Sequence, residues 1–467
     1  MSCGANAHTH VCVIISRRGA ATVALFLVFA AVMLFGASQA VALPSYARQT
    51  GQECAACHNG FPELTPYGRL FKLNGYTFKG GTSDLPPIAA MVIPTFTHTD
   101  SGQSGGAGTH YADNDNRDIS TTSVFYGGAI APNLGAFAQV TYDNGPRQLH
   151  WDNTDIRYAR TTTLYDREMV LGVSLNNSPT VTDVWNTTPA WGYPYESSQL
   201  ALTPAAGTLI EGGLAQQVVG ITGYAYVSRL YYAEFGAYKT FSPRMETNLG
   251  ASPFGPSIKG LAPYWRLAFE PQWGRSTWEV GTFGLAAALN PGRVTGFGTD
   301  HVVDVGVDTE YQFLADRHSV SVMASWITEN DTFTSTAAQL IAAGVAGPNT
   351  HDHLRSLRLK TTYYYDQTYG GTLGFFRIDG SGDPNLYPVA ALGGSATGSP
   401  NSQGWIGEIN YLPFNHGGPS FWPWMNLKLG LQYVYYTKFN GSSSNYDGAG
   451  RNASNNNTLF LYAWLAF

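Results

Sequence analysis

Cys54-Ala55-Ala56-Cys57-His58 is the stretch of this chain best equipped for chemistry. Two thiols at this spacing can add across the two vinyl groups of a porphyrin. The histidine that follows at once then presents an imidazole nitrogen to the iron. This is the pattern of covalent c-type haem attachment, with Cys54 and Cys57 as thioethers and His58 as proximal ligand. A thioredoxin-like dithiol would need no such histidine and would want a βαβ setting, which is absent. A zinc site would need two more ligands of similar pairing. The chain has four cysteines, and the remaining two, Cys3 and Cys12, lie in a segment marked for removal.

That segment is an export signal. Arg17-Arg18 precede an apolar run over 19–36, and the small residues Ala37-Ser38-Gln39-Ala40 and Val41-Ala42 follow it. The order of basic, apolar and small residues predicts a secretory signal over 1–42, cleaved after Ala40 or Ala42. The run is shorter than the ~20 residues a helical span needs. Cleavage removes Arg17 and Arg18 and takes the formal net charge from −6 to −8. Export also suits the motif, because haem c is attached outside the cytoplasm.

The elements that must position the motif have an unusual composition. Only 12% of the 467 residues are charged, about half the usual soluble share, yet the mean hydropathy is only −0.13. Gly (53), Tyr (28), Phe (24) and Trp (11) are abundant. This excludes a coiled coil, a disordered chain and a bundle of transmembrane helices, and the small net charge gives no reason to expect nucleic acid as a partner. Residues 43–87 are too few to wrap a haem as an independent domain, so that segment must lean on something larger.

From residue 88 to 467 the pattern has a period of two. In 303–313, Val303, Val305, Val307, Tyr311 and Phe313 alternate with Asp304, Gly306, Asp308, Glu310 and Gln312. The same alternation recurs at 265–270, 319–326, 356–360 and 425–433, which is the strand period. Long strands, Tyr and Trp near their ends (Tyr231-Tyr232, Tyr363-Tyr364-Tyr365, Tyr435-Tyr436), short turns alternating with long polar loops, and a terminal apolar strand ending at Phe467 favour a transmembrane barrel over a sandwich. Strands are expected near 88–99, 118–131, 134–143, 150–163, 167–176, 212–226, 229–241, 262–273, 276–288, 300–313, 318–328, 354–366, 369–378, 404–413, 424–439 and 457–467. The expected fold class is therefore all-β: an antiparallel transmembrane barrel of about sixteen strands, with fourteen and eighteen as neighbouring counts. A barrel of that size has a lumen wide enough to hold a segment such as 43–87.

Leu43-Pro44-Ser45-Tyr46-Ala47-Arg48-Gln49-Thr50-Gly51 leads into the motif, and Phe61-Pro62-Glu63-Leu64-Thr65-Pro66-Tyr67-Gly68-Arg69 and Phe71-Lys72-Leu73-Asn74-Gly75-Tyr76 follow it. Over residues 43–100 the chain resembles the Cyc2-like fused cytochrome c–porins, an outer-membrane family implicated in iron(II) oxidation. The resemblance implies a signal (1–42), a monohaem plug segment (43–87) and a porin barrel (88–467) in the bacterial outer membrane. It further implies one haem c on Cys54, Cys57 and His58, held in the lumen. The activity implied is iron(II) oxidase-type electron transfer rather than bond-making catalysis, from extracellular Fe(II) or another reduced donor to a periplasmic c-type cytochrome. The alternative reading is a solute porin whose haem segment gates or senses.

Strand parity sorts the candidates for a distal iron ligand. In 89–99 the threonines mark the expected lumen face, and Met91 shares it while His98 does not. Met323 also points inward by parity, whereas Met169 and Met425 point to lipid. Met91 is nearest to the motif in sequence and is the leading candidate, with His98, Met323 and an open position as the others; a thioether ligand would raise the haem potential. Asp304, Asp308 and Glu310 are expected on the lumen face, as a solvated wall or an attractant for Fe²⁺. His351-Asp352-His353 is expected to sit solvated in a long loop. No nucleophile constellation and no phosphate-binding loop is present.

Overall fold

The computed structural model describes residues 43–81, 85–145, 147–418 and 424–467; the expected signal at 1–42 lies outside them. Sixteen long strands are found among the described residues. They are β1 (Ile88–Thr99), β2 (Asn116–Ala131), β3 (Leu134–Asp143), β4 (Gln148–Leu164), β5 (Arg167–Asn176), β6 (Val218–Val227), β7 (Tyr231–Thr240) and β8 (Ala262–Phe269), followed by β9 (Ser276–Asn290), β10 (Asp300–Leu314), β11 (His318–Thr332), β12 (His351–Tyr365), β13 (Tyr369–Gly380), β14 (Ser402–Tyr411), β15 (Asn426–Lys438) and β16 (Thr458–Ala466). Two short ladders, Ser257–Ile258 and Gln272–Trp273, pair with the ends of β9 beside β8. Each strand pairs antiparallel with its sequence neighbours, and β1 pairs with β16 from Met91↔Ala466 to Thr99↔Thr458, closing the ring.

Burial along the strands is inverted relative to a soluble sheet. In β10 the acidic Asp304, Asp308 and Glu310 are buried, while Val303, Val305 and Val307 are exposed. Apolar side chains facing outward and polar ones inward are what a hydrocarbon surrounding selects, since strand closure satisfies the backbone and the outer face needs no water. Rings line one rim of that outer face: Tyr231 with Phe269 (5.4 Å), Trp273 with Tyr311 (6.4 Å) and Tyr369 with Tyr411 (5.1 Å). They form an aromatic girdle.

The two rims differ. Connections at 132–133, 165–166, 228–230, 315–317 and 366–368 are tight, and both central residues of the 165–166 turn take positive φ (Tyr165 49°, Asp166 57°), the twist a two-residue hairpin requires. The opposite rim carries 100–115, 177–217, 241–261, 333–350, 381–401 and 439–457, with 144–147 its shortest hairpin. β1 begins and β16 ends on the short-turn rim. His351-Asp352-His353 opens β12, paired with Thr332, Asp331 and Asn330, so the loop expected for it is instead strand.

Residues 43–81 form three short helices: α1 (Pro44–Thr50), α2 (Cys54–Cys57) and α3 (Pro66–Leu73). Proline at the first turn starts α1 and α3, and Thr65 caps α3 by accepting from the Gly68 amide at 3.2 Å. Gly51, in the left-handed region at φ 68°, ends α1. Gly68 is forced by packing, since a Cβ there would lie 2.2 Å from the Cys57 carbonyl oxygen. The glycine therefore lets α3 press against the Cys-x-x-Cys turn.

Candidate functional site

The motif is one helical turn that opens with Cys54 and closes at His58, whose amide donates to the Cys54 carbonyl at 2.7 Å. Both cysteines are free, with Cys54 buried and Cys57 half-buried. The Asn426 amide approaches Cys54 Sγ at 3.5 Å. Burial pushes the Cys57 thiol up to about 12 and holds His58 down to about 4 against the hydrogen bond to Pro62, so the imidazole is neutral at pH 7. His58 Nδ1 lies 3.1 Å from the Pro62 carbonyl oxygen. Donation from Nδ1 fixes the tautomer and leaves the lone pair of Nε2 for a metal.

These residues line a cavity of about 480 Å³, within the range of ligand pockets. Its wall includes Cys54, Cys57, His58, Phe61, Met91 and Trp464. The Phe61 ring sits 5.2 Å from the His58 ring and 4.7 Å from that of Trp464, which packs against the buried cluster holding Met91, Phe125 and Leu43. Met91 faces inward, as its parity requires, and the cavity brings it together with the motif. Met323 also faces inward but lines a second cavity of about 370 Å³. His98 lies on the outer face, bonded to Asp115 at 2.8 Å.

The segment is tied to the barrel by ion pairs that periodicity alone does not announce. Arg69 is buried and bonds Glu270 and Glu310, and Glu63 bonds Lys360. The Gln367 amide in the 366–368 turn donates to the carbonyls of Ala55 (3.2 Å) and His58 (3.0 Å), and the Ala55 amide donates to the Asn415 carbonyl at 3.0 Å. The motif therefore sits at the short-turn end of the lumen.

A second segment, 177–217, crosses the interior. Thr182 bonds Glu234 (3.0 Å), Asp183 pairs with Arg266 (3.4 Å), and Ser198 bonds Thr97 (2.6 Å). The Ile210 amide donates to Asp304 (2.7 Å), and Glu211 accepts from Ser356 (2.8 Å) and Arg358 (3.0 Å). These partners belong to strands around the whole ring. The segment also meets α3, because Lys72 Nζ donates to the carbonyls of Val181 (2.9 Å) and Asp183 (2.7 Å).

The acidic wall is accordingly neither solvated nor free for Fe²⁺. Asp308 is held by Arg266 at 2.8 Å, Glu310 by Arg69, and Asp304 by the Ile210 amide. Sequence reasoning assigned these residues to the correct face but missed their partners, which lie far away in the chain. Arg69, one of two basic residues in the short helix α3, was the available signal.

No family model matches the chain, and no curated relative matches it. Among solved structures it is similar to OmpT of Vibrio cholerae (9% identity over 81% of this chain and 96% of that one, TM-score 0.39). It is also similar to the outer membrane channel DcaP of Acinetobacter baumannii (11%, 81% and 96%, 0.42) and to Salmonella typhi OmpF in complex with daunomycin (12%, 81% and 97%, 0.43). By its own ring closure and inverted burial, the described chain is a sixteen-stranded antiparallel barrel, with residues 43–81 and 177–217 bonded to its inner wall.

Proposed function

We propose that this protein is an outer-membrane electron conduit. In this reading Cys54, Cys57 and His58 hold one haem c inside the barrel, and the electron passes from extracellular Fe(II) to a periplasmic c-type cytochrome. Bound there, the haem supplies a one-electron carrier part-way through an insulating layer of about 30 Å. The observation that carries this reading is the single cavity lined by both free thiols, by a neutral His58 whose Nδ1 is already engaged, and by Met91.

The chain's own residues perform four tasks. Cys54 and Cys57 would tether the haem, and His58 and Met91 would supply ligands to its iron, a thioether ligand favouring a raised potential. Pro62 orients the imidazole. Arg69 and Glu63 lock the segment to the wall. Segment 177–217 crosses the lumen and closes much of what residues 43–81 leave open. That closure favours the conduit over the alternative of an open solute porin.

Intact mass and visible absorbance of the processed protein test the reading: one covalent haem is expected, and Cys54→Ser/Cys57→Ser should lack it. Anaerobic mixing with Fe²⁺ should then give reduced-haem absorbance within seconds. A processed chain of unmodified mass would refute the cofactor, and an unreduced holoprotein would refute the donor.

A further inference from the structure

The cavity does not stop at the motif. From Met91 and the Cys-x-x-Cys turn at the short-turn end, it continues along the inner wall of β1–β4. The side chains of Gln139, Thr141, Asp143, His150, Asp152 and Gln199 carry it to the opposite rim. Asp143 is the last residue of β3, next to the 144–147 hairpin, and Gln199 of the crossing segment is exposed there. Elsewhere the lumen is crossed by 177–217, whose residues Asn186, Pro189, Gly192 and Pro194 line both this cavity and the 370 Å³ one and so stand between them.

The lining of this passage is polar and acidic at its outer end. Asp143 Oδ1 has no hydrogen-bond partner, and Asp152 accepts from Thr141 at 2.8 Å and from Gln216 at 3.2 Å. The cation deeper in, Lys72, is committed to the Val181 and Asp183 carbonyls. Among the described residues no group of three or more His, Cys, Asp or Glu side chains is arranged to hold a metal ion.

We infer that the β1–β4 passage is the entry route for the electron donor, and that it admits small hydrated cations in preference to anions and to bulky donors. A cleft walled by low-dielectric protein and lined by one sign of charge raises the local concentration of the opposite sign. The inference rests on the haem reading and deepens it. With haem c bound, the step would balance as one electron lost by Fe²⁺ and gained by the ferric iron, with Fe³⁺ leaving by the same route and no bond formed.

Cysteine accessibility tests this without relying on turnover. Gln139→Cys places a thiol midway along the passage, and its modification is measured with the trimethylammonium and the sulfonate methanethiosulfonate reagents at low salt. The cationic reagent should react about ten-fold faster. Asp143→Asn/Asp152→Asn in the same background should shrink that ratio toward one, as should high salt. The modified thiol should slow haem reduction by Fe²⁺ at least ten-fold.

A thiol that neither reagent reaches, equal rates for the two reagents, or undiminished haem reduction after modification would overturn the route. Failure of the haem reading gives a different result. The parent protein would itself then be modified, at free Cys54 and Cys57, and the route would be judged on Gln139→Cys in the Cys54→Ser/Cys57→Ser background.

Discussion

The side-chain amide of Gln367 donates to the carbonyl oxygen of His58 at 3.0 Å, so a residue of one of the tight turns holds the end of the Cys-x-x-Cys-His turn. In barrels of this architecture the short turns face the periplasm. A haem bound at this motif would therefore lie closest to that side, within reach of a soluble acceptor protein. In proteoliposomes of single orientation, a soluble cytochrome c should exchange electrons with the reduced protein from the short-turn side. Exchange only from the long-loop side would contradict this placement.

Arg69→Met should strand Glu270 and Glu310 in the interior. Breaking a buried pair from one side costs about 3–5 kcal/mol, and here one substitution removes the partner of two carboxylates. Release of residues 43–81 to protease, well below the melting temperature of the barrel, is the expected readout. Adding Glu270→Gln and Glu310→Gln should restore part of the loss, because the orphaned charges are then gone.

Segment 177–217 should behave as a latch whose strength depends on pH. Burial alone would raise the Glu211 carboxyl, but Arg358, Ser356 and the Thr208 amide outweigh it and hold it below the ordinary value of 4.5. A carboxyl depressed on folding contributes stability above its unfolded value and loses it as the pH falls through the folded one. Planar-bilayer conductance should therefore be low at neutral pH and rise on acidification below about pH 4.5. Glu211→Gln should be leakier at pH 7 and should lack this acid step. Hydrogen bonds to a charged group contribute about 1.5–3 kcal/mol, enough to raise the open population roughly ten- to hundred-fold.

Val305→Arg should impair assembly, since Val305 is an exposed apolar residue near the middle of β10. An arginine facing the bilayer midplane costs about 2–4 kcal/mol. Heat-modifiable migration on gels would report the folded fraction, and Val305→Leu should leave it unchanged.

Asp331 stands directly opposite Asp352 across β11 and β12. Like charges at such a position destabilise by about 0.2–1 kcal/mol. Asp331→Asn should therefore raise the melting temperature slightly, with the gain shrinking in high salt.

The barrel was largely legible in the sequence because a strand with lipid on one side and a polar interior on the other must alternate at every residue. The expected strands 134–143, 167–176 and 88–99 coincide with β3, β5 and β1, and most others differ by two or three residues at one end. Two depart by four residues, 262–273 overrunning β8 and 318–328 stopping short of the end of β11, and the strand expected from 212 departs most, beginning at Val218 because Leu209–Gly213 forms a helical turn reaching toward β10–β12. The same parity oriented Met91 and Met323 inward, but only the three-dimensional arrangement separates them into different cavities. Segment 177–217 carries no period at all. Its inward course is set by side-chain bonds to residues far along the chain, such as Thr182 to Glu234 and Glu211 to Ser356, and no local pattern encodes them. Asp308 and Glu310 were misread for the same reason, their counter-ions Arg266 and Arg69 being local to nothing.

The seam at which Met91 faces Ala466 also orders events during biogenesis. It joins the two extremities of the sheet, so the ring shuts only after the final strand has arrived. The barrel partners of Arg69 and Glu63 lie downstream of them: Glu270 just past β8, Glu310 on β10, Ser321 on β11 and Lys360 on β12. Were the ring to shut without residues 43–81, Glu270 and Glu310 would lack Arg69, and Lys360 would lack Glu63. The amino-terminal stretch is thus enclosed by strands that follow it in the chain, and anything tethered to it is enclosed with it.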